Sequence, residues 1–192
     1  MNVYDFDNTI FKGDSTARFY LFTIKRHPKL LRHTPSVLLA FVRFYCLKKG
    51  TKTECKQTLY RFLTGIDNID KEISLFWKVN ESRIKAFYLR QQKEDDVIIS
   101  ASPSFLLSPI CKKLGIRHLI ASEVNPRTGI YSGENCHGEE KVLRFRKCFK
   151  DAVPAKFYSD SYSDTPMAKI SKEAYMVKNE TITPWIFKGN TA

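Results

Sequence analysis

The sequence predicts an α/β fold in which a mostly parallel sheet carries an inserted helical segment. A β-branched and aromatic stretch at residues 3–6 has the composition of a strand. Residues 15–91 show helical patterns alone, whereas strand and helix patterns alternate from residue 95 onward. We therefore predict a core domain of residues 1–14 and 92–192, interrupted by a helical domain of residues 15–91.

The first strand ends in two carboxylates, Asp5 and Asp7. Because the side-chain period of a strand is two, they project the same way, about 6 to 7 Å apart. Like charges this close need a cation or a proton between them. The pair suits a site with one nucleophilic carboxylate and one proton carrier. The alternative is a solvated pair in a loop, since so short a pattern is common.

The inserted segment is predicted to contain four helices. Asp14 or Ser15 caps the first, which ends before His27-Pro28. Pro35 begins the second, which stops at Gly50. The four predicted helices span residues 15–25, 35–49, 53–63 and 70–91.

The remainder is predicted to complete the sheet. Strands are expected at residues 97–99, 118–121, 156–158 and 175–177, with helices at 103–114, 139–149 and 165–171 and a turn at 129–133. Alternating strands and helices imply right-handed crossovers and a parallel sheet. Because ligands bind at the carboxyl edge of such sheets, polar residues that follow the strands are expected to share one site.

The net charge of +12 is concentrated in the insert. Residues 15–91 contain 16 Lys and Arg against 5 Asp and Glu, a net of +11, and the rest contains 16 against 15. Such an excess of positive charge indicates what kind of partner the protein binds and says little about its fold. The five cysteines are scattered without a C-x-x-C pair, which indicates a reducing compartment and no zinc site. The first residues lack the features of a signal peptide, so a cytoplasmic location is expected, with the inner membrane face as a peripheral alternative.

Four separated segments carry a resemblance to a known family. They are Asp5-Phe6-Asp7-Asn8-Thr9, Ile98-Ile99-Ser100-Ala101-Ser102-Pro103, Gly138-Glu139-Glu140-Lys141 and Tyr158-Ser159-Asp160-Ser161-Tyr162-Ser163-Asp164. In this order they resemble the motifs of the haloacid dehalogenase superfamily, in its phosphoserine-phosphatase-like branch. The resemblance covers residues 1–14 and about 95–176. It implies a Rossmann-like core with a helical cap inserted after the first motif.

The resemblance also implies residue roles. Asp5 would attack phosphorus and form an aspartyl-phosphate, and Asp7 would act as the acid and base. Mg²⁺ would be held by the Asp5 and Asp160 carboxylates and the backbone carbonyl of Asp7, with Asp164 nearby. The transferring phosphoryl oxygens would be held by Lys141, Ser100 and Thr9, helped by a backbone N–H near Ala101.

Two departures from the family pattern bear on the substrate. Asp14 stands where phosphoserine phosphatases carry a glutamate that contacts the substrate's amino group, and a capping role is the alternative. Ala101-Ser102-Pro103 replaces a glycine-rich run. The resemblance therefore implies a Mg²⁺-dependent phosphomonoester hydrolase. It does not imply that the substrate is phosphoserine.

The insert leaves several interpretations open. Residues 37–47 are apolar but, interrupted by Arg43, too short to span a bilayer. They could form the buried central helix of the cap. They could instead enter a membrane whose anionic headgroups meet Lys25, Arg26, Lys29, Arg32, Lys48, Lys49 and Lys52. The substrate would then be a lipid phosphomonoester such as phosphatidylglycerophosphate, which related members of this branch hydrolyse.

Two further classes follow from the same observations. The basic charge could serve a nucleic-acid binding protein or a nucleic-acid end phosphatase, although no recognisable binding motif accompanies it. A catalytically silent scaffold is disfavoured because all of the motif residues are present.

Overall fold

Six strands form one sheet in the order β3-β2-β1-β4-β5-β6, as a computed structural model of the chain shows. The structure describes residues 1–187, apart from the side chains of Phe41 and Lys52. Residues 188–192 of the predicted core domain and the Lys52 side chain therefore lie outside the described residues. The predicted α/β class with a mostly parallel sheet is confirmed.

The strands are β1 (Val3–Tyr4), β2 (Val97–Pro103), β3 (His118–Ser122), β4 (Lys156–Ser159), β5 (Glu173–Lys178) and β6 (Thr181–Pro184). The first five pair in parallel, and β6 pairs antiparallel with β5. Strand β6 was not predicted from the sequence. Because β1 lies at the centre, its carboxyl end faces the ends of β2 and β4 on either side.

Side chains alternate between two cores, one on each face of the sheet. Val3, Val97 and Phe157 lie in one hydrophobic cluster, and their neighbours Tyr4, Ile98 and Tyr158 lie in the other. This alternation is the two-residue period of paired strands. The Tyr4 and Tyr158 rings stack with centroids 4.7 Å apart. The sheet is thus buried on both faces, as a parallel sheet requires.

The described part of the chain contains eight α-helices. They are α1 (Ser15–Arg26), α2 (Thr34–Phe41), α3 (Lys52–Tyr60), α4 (Ile69–Asn80), α5 (Ala86–Gln91), α6 (Ser104–Lys113), α7 (Glu139–Phe149) and α8 (Thr165–Lys169). Phe145 of α7 and Met167 of α8 pack on the face of Val3. Aromatic residues of α1 and α4 pack with α6 on the face of Tyr4, where Trp77 Nε1 donates to the carbonyl of Leu106 over 2.7 Å.

The helical segment is less regular than the sequence predicts. The expected helix at 35–49 is α-helical only as far as Phe41. It continues as a π-helical turn at Val42–Cys46 and ends there. The expected helix at 70–91 is wrong as a single helix, because it breaks after Asn80 into a 3₁₀ turn at Glu81–Arg83. The break has a tertiary cause: the N–H of Lys85 donates to the carbonyl of Ile10 over 2.7 Å. A backbone that pairs across to another segment cannot complete its own helical ladder.

The two chain crossings between sheet and helical segment therefore lie side by side. Phe11 and Ile84 form an antiparallel bridge, and the N–H of Lys12 donates to the carbonyl of Arg83. The division into domains at residues 14/15 and 91/92 stays a prediction.

The apolar segment at residues 37–47 is not the buried centre of the helical segment, so that interpretation is wrong. Val37 is buried, but Leu38, Leu39, Val42 and Leu47 are exposed. Hydrophobic composition alone could not distinguish these cases, because both faces of the helix are apolar. Among residues 1–187, no helix is long and apolar enough to cross a membrane.

Candidate active site

Asp5 follows β1 directly and remains tied to the sheet. Its N–H donates to the carbonyl of Tyr158 over 2.9 Å, so the backbone stays fixed after the strand ends. The chain then turns, with the N–H groups of Ile10 and Phe11 both donating to the carbonyl of Phe6. Asn8 takes a left-handed conformation with φ of 57°. Asn tolerates this region better than most residues, which lets the turn leave the sheet within three residues of Asp5.

A buried lysine joins two of the predicted carboxylates. Lys141 lies in the first turn of α7 on the same face as buried Phe145, so the helix packs the lysine into the protein. Its Nζ lies 2.7 Å from Asp5 Oδ1 and 2.7 Å from Asp164 Oδ2. Removing Lys141 would leave two buried carboxylates without their cation, and a loss of this kind typically costs about 3–5 kcal/mol.

Thr9 supports this cluster from beneath. Its hydroxyl donates to Asp5 Oδ2 over 3.2 Å and accepts the N–H of Asp160 over 2.9 Å. Because Thr9 is fully buried, its hydroxyl links the ends of β1 and β4 in this structure. Ser159 likewise donates to Asp164 Oδ2 over 2.7 Å.

Asp7 lies in a separate hydrogen-bond network. Its Oδ1 accepts the N–H of Ser15 over 2.7 Å, and its Oδ2 accepts the hydroxyl of Ser102. Ser102 also contacts the hydroxyls of Ser15 and Thr16, and Thr16 contacts the Tyr60 hydroxyl at 3.0 Å. The start of α1 therefore holds Asp7 in place.

The remaining predicted residues divide between the surface of the site and its support. Asp14 is the N-cap of α1, and its Oδ1 accepts the N–H of Ala17 over 2.8 Å. Ser100 is buried, and its hydroxyl accepts the N–H of Ser102. The carbonyl of Ala101 accepts Lys56 Nζ of α3 over 3.1 Å. Lys56 also reaches Asn135 Oδ1, so it joins the helical segment to the core.

These residues border one cleft of about 440 Å³. Of the predicted site residues, the cleft is lined by Asp5, Asp7, Asp14, Ala101, Lys141, Asp160 and Asp164. Thr9 and Ser100 lie behind this lining. The helical segment supplies Tyr45, Cys55, Lys56 and Leu59 to the opposite wall. The cleft is thus shared between the sheet edge and the helical segment.

The charges of the cluster fit a divalent cation. Asp5 and Asp164 share a single lysine, Lys141, and Asp160 lines the same cleft, so the cluster has an excess of negative charge. Asp164 Oδ1 is buried without a hydrogen-bond partner, and a buried carboxylate oxygen usually has one. Across residues 1–187, no three His, Cys, Asp or Glu side chains form a preformed metal cluster. Mg²⁺ does not require one, because it is commonly held by one or two carboxylates and several waters.

Burial and like charges raise the pKa values of these carboxyls. Burial raises the pKa of Asp5 to about 7, opposed by the ammonium of Lys141 and assisted by Asp164. Burial, followed by the charge of Asp14, raises the pKa of Asp7 to about 6, and the hydrogen bonds from Ser102 and Ser15 oppose this. Burial and Asp164 also raise the pKa of Asp160. Burial alone would lower the pKa of Lys141, but its two carboxylate partners outweigh it and raise the pKa.

Sequence reasoning missed several polar residues of the site and its support. Ser102 could have been found, since it follows Ser100 by two residues in the same motif, near the end of β2. Thr16 and Lys56 carried no sequence signal, because each lies in a helix with many similar polar residues. Lys85 is buried, and its Nζ donates to the carbonyls of Asn8 and Asn179. It thereby fixes the turn after Asp7.

A parallel sheet with clustered carboxylates and a buried lysine at its carboxyl edge is the arrangement of haloacid dehalogenase-like hydrolases. The profile of that family matches residues 3–169, and the chain belongs to it. Probable phosphatase Rv3661 of Mycobacterium tuberculosis strain H37Rv is 33% identical over 90 residues, covering 43% of this chain and 31% of that protein. The chain spans about a third of the length of the curated relatives it matches at this identity.

Solved structures share the fold at lower identity. A protein of unknown function from Bordetella pertussis Tohama I superposes with a TM-score of 0.73 at 20% identity, covering 91% of this chain and 87% of that one. A phosphoserine phosphohydrolase-like protein from Francisella tularensis subsp. tularensis SCHU S4 gives 0.55 at 15% identity, covering 91% and 86%. At these identities the likeness concerns the fold alone.

Proposed function

We propose that the protein is a Mg²⁺-dependent phosphomonoester hydrolase that works through an aspartyl-phosphate on Asp5. The observation that carries this proposal is the contact of Lys141 with both Asp5 and Asp164 at the floor of the cleft. An ammonium in this place favours the ionised form of Asp5 and so opposes the effect of burial. It also offers a hydrogen-bond donor to phosphoryl oxygens that approach Asp5.

In the first step, an oxygen of the Asp5 carboxylate attacks phosphorus as the bond from phosphorus to the leaving oxygen breaks. The proton of Asp7 passes to that leaving oxygen. In the second step, water gives a proton to Asp7 and attacks phosphorus, which breaks the bond to Asp5 and releases phosphate. Asp5 is again a carboxylate, and Asp7 is again protonated.

The raised pKa of Asp7 suits both of its roles. At about 6, the carboxyl is protonated in a sizeable fraction of molecules near neutral pH and can donate to the alcohol. The hydrogen bonds from Ser15 and Ser102 hold it in a network separate from that of Lys141.

Asp5, Asp160 and Asp164, with the backbone carbonyl of Asp7, would hold the Mg²⁺. When bound, the ion neutralises charge on the phosphoryl group and on the carboxylates. Thr9 positions Asp5 through its hydroxyl, and Ser100 positions Ser102 through that residue's N–H.

The substrate proposed is a small-molecule phosphomonoester, and the helical segment acts as the cap that selects it. Tyr45 and Leu59 of this segment give the outer wall apolar surface, and Lys56 adds a charge. Asp14 is proposed to cap α1 and to act on Asp7 through its charge, rather than to contact substrate. A lipid phosphomonoester remains a second candidate, favoured by the exposed apolar helix. No observation favours the nucleic-acid alternatives beyond the basic charge.

We expect hydrolysis of an aryl phosphate to require Mg²⁺. Exhaustive chelation should abolish phosphate release, and added Mg²⁺ should restore it. Hydrolysis that continues unchanged after chelation would contradict the proposal. The control is Asp160→Asn, which removes one proposed ligand charge and should raise the Mg²⁺ concentration needed for half-maximal activity.

Asp14→Asn is expected to shift the pH profile while leaving the fold intact. Asn caps helices about as well as Asp, so the contact with the N–H of Ala17 can persist. Losing the negative charge favours ionised Asp7 and lowers its pKa. The alkaline limb of kcat/KM then moves to lower pH, and kcat/KM at pH 7 falls roughly threefold to tenfold, since one pKa unit is a factor of ten.

The measurement is a pH series at saturating Mg²⁺. Asp70→Asn serves as the control, because it removes an exposed carboxylate from the first turn of α4. If the alkaline limb of kcat/KM for Asp14→Asn coincides with the limbs of the control and the wild type, the charge of Asp14 does not act on the pKa of Asp7.

A further inference from the structure

The outer face of α2 and the following π-helical turn is apolar and uncovered. We call Leu38, Leu39, Val42, Tyr45 and Leu47 the apolar face. Leu38 and Leu39 are 64% and 68% exposed. The inner face of the same helix packs Val37 against the protein, whereas the side chains of the apolar face stay largely exposed. Contiguous exposed aliphatic side chains commonly mark a binding surface.

Basic residues border this face without any acidic neighbour in sequence. No Asp or Glu occurs from residue 15 to residue 53. The exposed basic residues nearest the apolar face in the chain are Lys29, Arg32, Arg43, Lys48 and Lys49. Arg26 is not one of them, since it pairs with Glu72 at 2.8 Å.

A groove of about 310 Å³ lies between this helix and α3, beside the apolar face. Arg43, Lys49 and Arg61 line it together with Leu39 and Phe44. Glu54, which also lines it, is engaged in the capping box of α3, where its Oε2 accepts the N–H of Thr51 over 2.9 Å. The groove thus offers positive charge and apolar contact side by side.

The combination of positive charge and apolar surface limits the kinds of partner that can bind here. A second copy of the chain would bring like charges together across the face, which is unfavourable. A nucleic acid would satisfy the charges but would leave the aliphatic side chains against phosphate and water. An anionic lipid surface satisfies both, with acyl chains against the leucines and headgroups against the basic residues.

We propose that the apolar face docks on an anionic lipid surface. Residues 34–46 are about 20 Å long as a helix, which suits a helix that lies in the interface. Tyr45 belongs to the apolar face and also lines the catalytic cleft, so docking brings the mouth of the cleft to the leaflet. The docking goes beyond the proposed function and stands without it.

The test is vesicle co-sedimentation with phosphatidylglycerol–phosphatidylcholine vesicles and with phosphatidylcholine vesicles. The wild type should bind the anionic vesicles, and binding should weaken without vanishing as salt rises, because salt screens charges and spares apolar contact. Arg43→Glu with Lys49→Glu should lower the affinity at least about 25-fold, at roughly fivefold per basic residue. Leu38→Ser with Leu39→Ser should abolish the salt-resistant fraction.

Matched double variants control for charge and exposed hydrophobicity. Lys71→Glu with Lys78→Glu makes the same charge change on α4. Val79→Ser with Leu143→Ser removes side chains that are 62% and 65% exposed on other faces. Both should bind like the wild type, and all four double variants should keep wild-type hydrolysis of an aryl phosphate without vesicles. That last assay separates failure of the docking from failure of the proposed enzyme.

Four results would overturn the docking. The first is equal, negligible binding to both kinds of vesicle. The second is loss of binding in the control variants to the same extent as in the variants of the face. The third is tighter binding to a single-stranded oligonucleotide than to anionic vesicles. The fourth is self-association that Leu38→Ser with Leu39→Ser abolishes.

Discussion

Asp5→Asn is expected to lose measurable turnover of every phosphomonoester, a fall in kcat of at least about 10⁴-fold, as is usual when a nucleophile is removed. An amide oxygen is too weak a nucleophile to attack phosphorus. The amide can still accept the hydrogen bond of Lys141, so the change removes chemistry rather than packing.

The stability of Asp5→Asn provides the control. Burial raises the pKa of Asp5, which means that the folded protein disfavours its charge. A neutral amide avoids this cost, and Lys141 keeps Asp164 as a partner. Thermal unfolding without metal should therefore occur at the wild-type temperature or above it. A large fall in Tm would assign the loss of activity to folding, and retained turnover would exclude Asp5 as the nucleophile.

Asp7→Asn is expected to lower steady-state turnover by about 10²–10⁴-fold, the usual contribution of a general acid or base. The loss should depend on the leaving group. An alkyl phosphate needs a proton on the departing oxygen, so its first step should slow greatly. An activated aryl phosphate needs none, so its first step should proceed while hydrolysis of the intermediate slows.

The measurement is a rapid-mixing comparison of the two substrates with Asp7→Asn. The aryl phosphate should give a burst of phenol of about one equivalent per site, followed by slow turnover. Ser102→Ala is a useful companion, because it removes one hydrogen bond that lowers the pKa of Asp7 and leaves the carboxyl in place. An Asp7→Asn variant with wild-type turnover of the alkyl phosphate would make the acid and base assignment wrong.

The fold was predictable where local patterns matched the final packing. Residues 97–99 form a short apolar run between polar segments, and they are the first three residues of β2, with both faces buried. The helix at 139–149 agrees with α7 at both ends, because Gly138 precedes it and acidic residues occupy its first turn. Strand β6 was missed because a short segment ending in Pro184 gains its strand geometry from pairing with β5.

The helical segment was less predictable because tertiary contacts decide it. The break after Asn80 depends on the bridge between Ile84 and Phe11, which are far apart in the chain. Residues 37–47 are apolar on both faces, so the sequence could not tell a buried helix from one with an uncovered side. Their exposure is a property of how few elements pack around them.

The candidate site, like the fold, was predictable only in part. Asp5, Asp7, Asp160, Asp164 and Lys141 belong to motifs, and the fold brings all five to one cleft. Thr9 and Ser100 belong to motifs too, but in this structure their hydroxyls bond to neighbouring protein groups behind the lining. Lys56 belongs to no motif and reaches the cleft only because α3 lies across from Ala101.

The measurement that tests the central claim most directly is the location of the phosphoryl group on the protein. Asp7→Asn is mixed with an aryl phosphate and Mg²⁺, quenched in acid during the burst and mapped by peptide mass spectrometry. We expect a phosphorylated peptide that contains Asp5, in an amount that matches the burst, and none when Asp5→Asn is added to the variant. A burst without any phosphorylated peptide, or a phosphoryl group on another residue, would contradict the central claim.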